Sequence, residues 1–192
     1  LQNNETKRII WSALAAPTSI GQKVIGNTKA ATAAMLTYAR TGEIPIDPPL
    51  KDTTTQGIKN AGWGQKQKSV AAGMKVISKL IEKYGEEGFA DWWLSPHTLE
   101  ELTDIRKEAG LSGAPSGLSG GKDSIHLGAM VLGDKTGRFS LNINGYEGTT
   151  KDVWYSRSYN RAFGQMFGAT DPKTGLPVVQ GGPRNQKERR QM

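Results

Sequence analysis

The chain has 192 residues, with 25 Lys and Arg against 18 Asp and Glu for a formal charge of +7, and it has no cysteine. That length suits one domain, or two small ones, with a real hydrophobic core. The absence of cysteine excludes a disulfide scaffold, a thiolate zinc site, an iron–sulfur cluster and a cysteine nucleophile, and two histidines (His97, His126) are too few for a histidine metal site.

No uninterrupted apolar run reaches the ~18 residues a membrane span requires, and the first five residues carry no apolar stretch of signal-peptide type. A first residue of Leu suggests a processed or trimmed chain. The expectation is a soluble, moderately basic globular protein of a reducing compartment, without membrane partner, metal or cofactor. A pI near 9.6 permits a polyanionic partner without requiring one.

The pattern along the chain is mostly helical. Residues 5–16 gather Ile9, Ile10, Trp11 and Leu14 on a broad face, and Pro17 is expected to end that helix. Residues 20–40 are Ala-rich, with Val24, Ala31, Met35 and Tyr38 at helical spacing before Thr41 and Gly42. Residues 43–63 hold Pro45, Pro48, Pro49 and three consecutive threonines, which reads as a long loop. These features divide the chain into an N-terminal helical arm (1–42), a linker (43–63), a main helical domain (64–168) and an extended basic tail (169–192).

From Gln65 the helical signal is strong, with Val70, Met74, Ile77, Ile81 and Tyr84 on one face and Gly85 as terminator. Phe89 to Leu94 form a short apolar segment, in which Trp92 and Trp93 read as core packing rather than a stacking platform. Ser95 and Pro96 suggest an N-cap and first helical position, opening a helix with Leu99, Leu102 and Ile105 on its apolar face. Residues 110–121 are a Gly/Ser-rich flexible loop. A helix is expected over 123–132, then a turn at Gly133, Asp134 and Lys135, then a short helix or extended piece over 139–143. Thr150 or Asp152 caps a last helix carrying Val153, Trp154, Phe163 and Phe167. The two histidines read as structural.

Three features of residues 131–164 point to chemistry. Gly133, Asp134, Lys135 and Thr136 form a Gly-x-Lys-Thr turn between helical segments. Asp152 follows Lys135 by seventeen positions, and Arg157 and Arg161, four apart, share one helical face. In this arrangement the chain resembles the helix-hairpin-helix DNA glycosylases, the group containing endonuclease III and the 8-oxoguanine glycosylases. Leu141 and Asn142 also stand where that family often has an aliphatic–Asn pair. The resemblance covers about 128–164. The family hairpin normally reads Leu-Pro-Gly-x-Gly, and Ala129, Met130, Val131, Leu132 and Gly133 stand in its place.

The resemblance implies an all-α helix-hairpin-helix glycosylase-like domain that binds DNA and cleaves an N-glycosidic bond, with AP-lyase activity. Lys135 would be the amine that attacks the anomeric carbon and forms a Schiff base. Asp152 would activate it and stabilise the oxocarbenium-like transition state. Gly133 and Thr136 would hold a DNA phosphate at a helix N-terminus, and Arg157 and Arg161 would face the backbone. Trp154, Tyr155 or Trp93 would stack on the flipped base.

Plainer readings stand beside these. Lys135 is also a solvated turn lysine, Asp152 a helix-start charge favoured by the dipole, and the two arginines a solvated stripe. A phosphate-binding loop is excluded because Asp134 stands where glycine would precede the lysine. The Gly/Ser run lacks the strand and βαβ setting of a dinucleotide site, and no Ser-His-Asp set is suggested. The alternative function is a non-enzymatic DNA-associated or structural protein of a larger assembly, such as a phage virion, located there or in the cytoplasm.

Overall fold

A computed structural model describes residues 2–47 and 66–147, all within the first compact unit of the chain, Leu1–Gly148. These residues are mainly helical. In chain order they form α1 (Gln2–Thr18), α2 (Val24–Thr41), α3 (Gln67–Leu94), β1 (Pro96–Thr98), α4 (Leu99–Glu108), β2 (Ile125–Leu127), a 3-10 helix (Gly128–Leu132) and α5 (Asp134–Ile143). No helix among them is long and apolar enough to cross a membrane.

The expected apolar faces form the core in part: Val24 of α2 and Tyr84 of α3, expected inside, are exposed. Ile10 and Leu14 of α1, Ala30 and Ala34 of α2, and Val70, Met74, Ile77 and Leu80 of α3 have no exposed surface. Burying a side chain the size of leucine or isoleucine stabilises the fold by about 1.5–3 kcal/mol. Helix α1 therefore belongs to the main body: Ile9, Ile10 and Leu14 share one apolar cluster with Phe89, Trp93 and Leu141. Helices α1 and α2 lie in the same compact unit as α3, α4 and α5.

Pro17 does not end α1 where expected. It sits in the last helical turn and packs on α3, where the absent side chain of Gly73 makes room: a Cβ there would lie 2.6 Å from Pro17 Cβ. Helix α2 ends at Gly42 as its sequence suggests, with φ 74 and its N–H donated to the Tyr38 carbonyl at 2.8 Å. Gly85 ends the first helical segment of α3 as expected: its backbone is non-helical (φ 70, ψ 178), and a second segment follows across the kink. The chain resumes helical geometry at once, so the apolar segment at Phe89 is helix.

Two further expectations are corrected. Ser95 and Pro96 do not open α4; Pro96 begins a strand, and Thr98 is the N-cap in a reciprocal box with Glu101. The Glu101 side chain accepts from the Thr98 N–H at 2.7 Å, while Thr98 Oγ1 accepts from the Glu101 N–H at 3.1 Å. Residues 123–132 are not one helix. Ile125–Leu127 pair antiparallel with Pro96–Thr98, and a 3-10 helix follows. The register places His97 directly opposite His126, so both histidines serve the ribbon. His97 Nε2–H donates to the Trp92 carbonyl at 2.9 Å, and its ring stacks on Trp92 with centroids 4.3 Å apart.

Candidate functional site

The 3-10 helix Gly128–Leu132, Gly133 and α5 make a compact helical turn. Three missing side chains allow it to close. A Cβ on Gly128 would lie 2.2 Å from the Trp92 carbonyl oxygen, and one on Gly137 would lie 2.6 Å from the Ala129 carbonyl oxygen. Gly133 supplies the reversal with φ 97 and ψ 163, a conformation L side chains rarely adopt. Its N–H donates to the Met130 carbonyl and its own carbonyl accepts from Gly137, each at 2.8 Å. Val131 is buried within the 3-10 helix, and the positive φ falls on Gly133.

Lys135 is the second residue of α5 rather than a residue of an open turn. Its side chain is exposed, and no carboxylate among the described residues pairs with it. Thr136, partly buried, follows in the same first turn. Asp134 is the nearest acidic neighbour in sequence, and its charge is engaged: Arg138 Nε donates to Asp134 Oδ1 at 2.6 Å. The sequence reading misses this pair, although four-residue spacing on one helix is a known signature of such contacts. The acidic first residue also suits the positive end of the α5 dipole.

The Gly/Ser-rich segment lies against this turn. The Asp134 N–H donates to the Ser116 carbonyl at 2.8 Å, and Gly117 (φ 83) approaches so closely that a Cβ there would lie 2.9 Å from Asp134 Cβ. Pro115 is buried. From α4, Arg106 reaches both parts, donating from Nε to the Gly113 carbonyl at 3.2 Å and from Nη1 to the Val131 carbonyl at 3.1 Å. Burial lowers the pKa of this guanidinium.

Of the residues expected to act together, Gly133, Lys135 and Thr136 are neighbouring members of this turn. Asp152, Arg157 and Arg161 lie outside the described residues, as do Trp154 and Tyr155. Trp93 has no exposed surface, which removes it as a platform for a flipped base; it is core, while Trp92 is only partly buried. Among the described residues, no group of three or more His, Asp or Glu is placed to hold a metal ion. No family model, curated protein or solved structure matches the chain.

Proposed function

We propose that the protein associates with DNA through the Gly133 turn and acts there as a helix-hairpin-helix glycosylase-like enzyme. In this reading Lys135 is the Schiff-base amine and Asp152 its activating carboxylate. Gly133 and Thr136 meet a phosphate, and Arg157 and Arg161 meet the DNA backbone. One observation carries it: a glycine reversal (φ 97) joins two short helical elements and delivers an exposed lysine, unpaired by any described carboxylate, to the first turn of the second.

The test is borohydride trapping with DNA containing an abasic site. The wild-type chain forms a covalent complex, Lys135→Ala forms none, and Asp152→Asn forms it more slowly. Absence of trapping by the wild type sinks the enzymatic reading.

The exposure of Lys135 favours a second reading, because desolvation is one of the means by which a lysine amine is made nucleophilic. In that reading the chain is a non-enzymatic DNA-associated component of a larger assembly, such as a virion. DNA binding that weakens with salt, without trapping, supports it. No DNA binding at low salt sinks both.

A further inference from the structure

We infer that Arg106 is a positioning residue for the Lys135 turn, an inference that rests on the reading of Lys135 given above. Backbone accounting carries it. In an uninterrupted helix the Val131 carbonyl would accept from an N–H three or four residues later. The Gly133 reversal breaks that continuity, and the Asp134 N–H turns instead to the Ser116 carbonyl. The Val131 carbonyl then accepts from Arg106 Nη1, and the same guanidinium donates from Nε to the Gly113 carbonyl.

One planar group thus joins α4, the Gly/Ser-rich segment and the turn. No carboxylate among the described residues pairs with Arg106, so its fork of donors serves backbone carbonyls rather than a counter-ion. Residues 113–117 are held against residues 131–134 from two sides. Arg106 pins Gly113 and Val131, and Ser116 takes the first N–H of α5. The start of α5, and with it the root of Lys135, is set by this brace. Arg106 acts through the turn and touches no reacting atom.

Arg106→Gln tests this. By amide hydrogen exchange, Asp134 and Gly133 are expected to exchange about tenfold or more faster than in the wild type, while Leu80 of α3 keeps its protection. Trapping at saturating abasic DNA is expected to slow about 10- to 100-fold, with less than about threefold loss of DNA affinity. Arg106→Lys, which keeps one donor group, restores part of both. Gly117→Ala, which drives the segment off Asp134 without touching Arg106, reproduces the faster exchange and covers the case in which Arg106→Gln does not fold.

Unchanged Asp134 exchange in a folded Arg106→Gln protein overturns the inference. So does a uniform loss of protection across Asp134 and Leu80, which marks a general stability role. If the wild type does not trap abasic DNA, the enzymatic reading fails, and the exchange data still decide whether the brace exists.

Discussion

The indole N–H of Trp93 donates to the Ser140 hydroxyl at 2.9 Å, and both residues are wholly withdrawn from solvent. Ser140 Oγ lies 3.3 Å from Ser12 Oγ, and the Ser12 hydrogen is already committed to the Ile9 carbonyl at 2.8 Å. With the Ser12 hydrogen on the Ile9 carbonyl, the Ser140 hydroxyl donates to Ser12, and the bonds run from Trp93 through two serines to Ile9. Asn144 Nδ2 closes the group on Ser12 Oγ at 2.6 Å and on the Ser140 carbonyl at 2.9 Å. These bonds tie α1, α3 and α5 together inside the core.

Removing the middle hydroxyl strands its neighbours. Ser140→Ala leaves the Trp93 N–H without an acceptor, and is expected to cost about 1–3 kcal/mol of stability. Trp93→Phe in the same background removes the stranded donor, so the two losses are expected to be less than additive. Urea unfolding of the four proteins of the double-mutant cycle measures the coupling.

Gly137→Ala places a methyl group 2.6 Å from the Ala129 carbonyl oxygen, a backbone atom that cannot rotate away. The expected cost is about 1–3 kcal/mol from overpacking, and the 3-10 helix must shift from α5. Thermal unfolding reports the loss of stability. Loss of DNA binding beyond that of an equally destabilised core variant, such as Ile77→Val, locates the effect at the turn.

Burial pushes the Tyr38 hydroxyl up to about 12 from its ordinary value of 10.0, and its hydrogen bond to Glu86 (2.9 Å) and that carboxylate's charge push in the same direction. The folded state thus holds the phenolic proton more tightly than the unfolded state does. The associated stability is fully present below pH 10 and is lost as pH rises towards about 12, amounting to about 1–3 kcal/mol. Tyr38→Phe is expected to remove this alkaline decline, read from denaturation midpoints across that range.

Charge is unevenly placed along the chain. Residues 66–147 hold ten Lys and Arg against eleven Asp and Glu, whereas residues 148–192 hold eight against three. In the proposed DNA-associated reading, electrostatic affinity for DNA is expected to depend more on the C-terminal residues. Changing Arg184, Lys187, Arg189 and Arg190 to Gln is expected to flatten the dependence of log affinity on log salt, by about 0.7–0.9 for each phosphate no longer neutralised. Changing Lys66, Lys68 and Lys75 to Gln serves as the control, with a smaller expected change.

The helices are legible where local periodicity governs them. Val70, Met74 and Ile77 announce the buried face of α3, and Gly42 announces the end of α2. Thr98 and Glu101 stand in the sequence as a capping pair, but Ser95 and Pro96 offer a competing start that a non-local event defeats. That event is the pairing of Pro96–Thr98 with Ile125–Leu127, three-residue strands too short to show alternation. At the candidate site, the Gly-x-Lys-Thr turn is visible, and so in principle is the Asp134–Arg138 spacing. The reach of Arg106 to Gly113 and Val131 is not, because backbone carbonyls carry no residue identity.

The Ser12–Ser140 contact spans 128 positions and the Ser12–Asn144 bond spans 132. During synthesis α1 is made well before the hydroxyl and amide that complete its inner face. At translation rates of about 5–20 residues per second, that interval is on the order of ten seconds. Throughout it, Ile10 and Leu14 have only α2 and the growing α3 to cover them. A nascent chain stalled before Asn144 presents an unfinished apolar stripe to chaperones, so this unit closes from its far end.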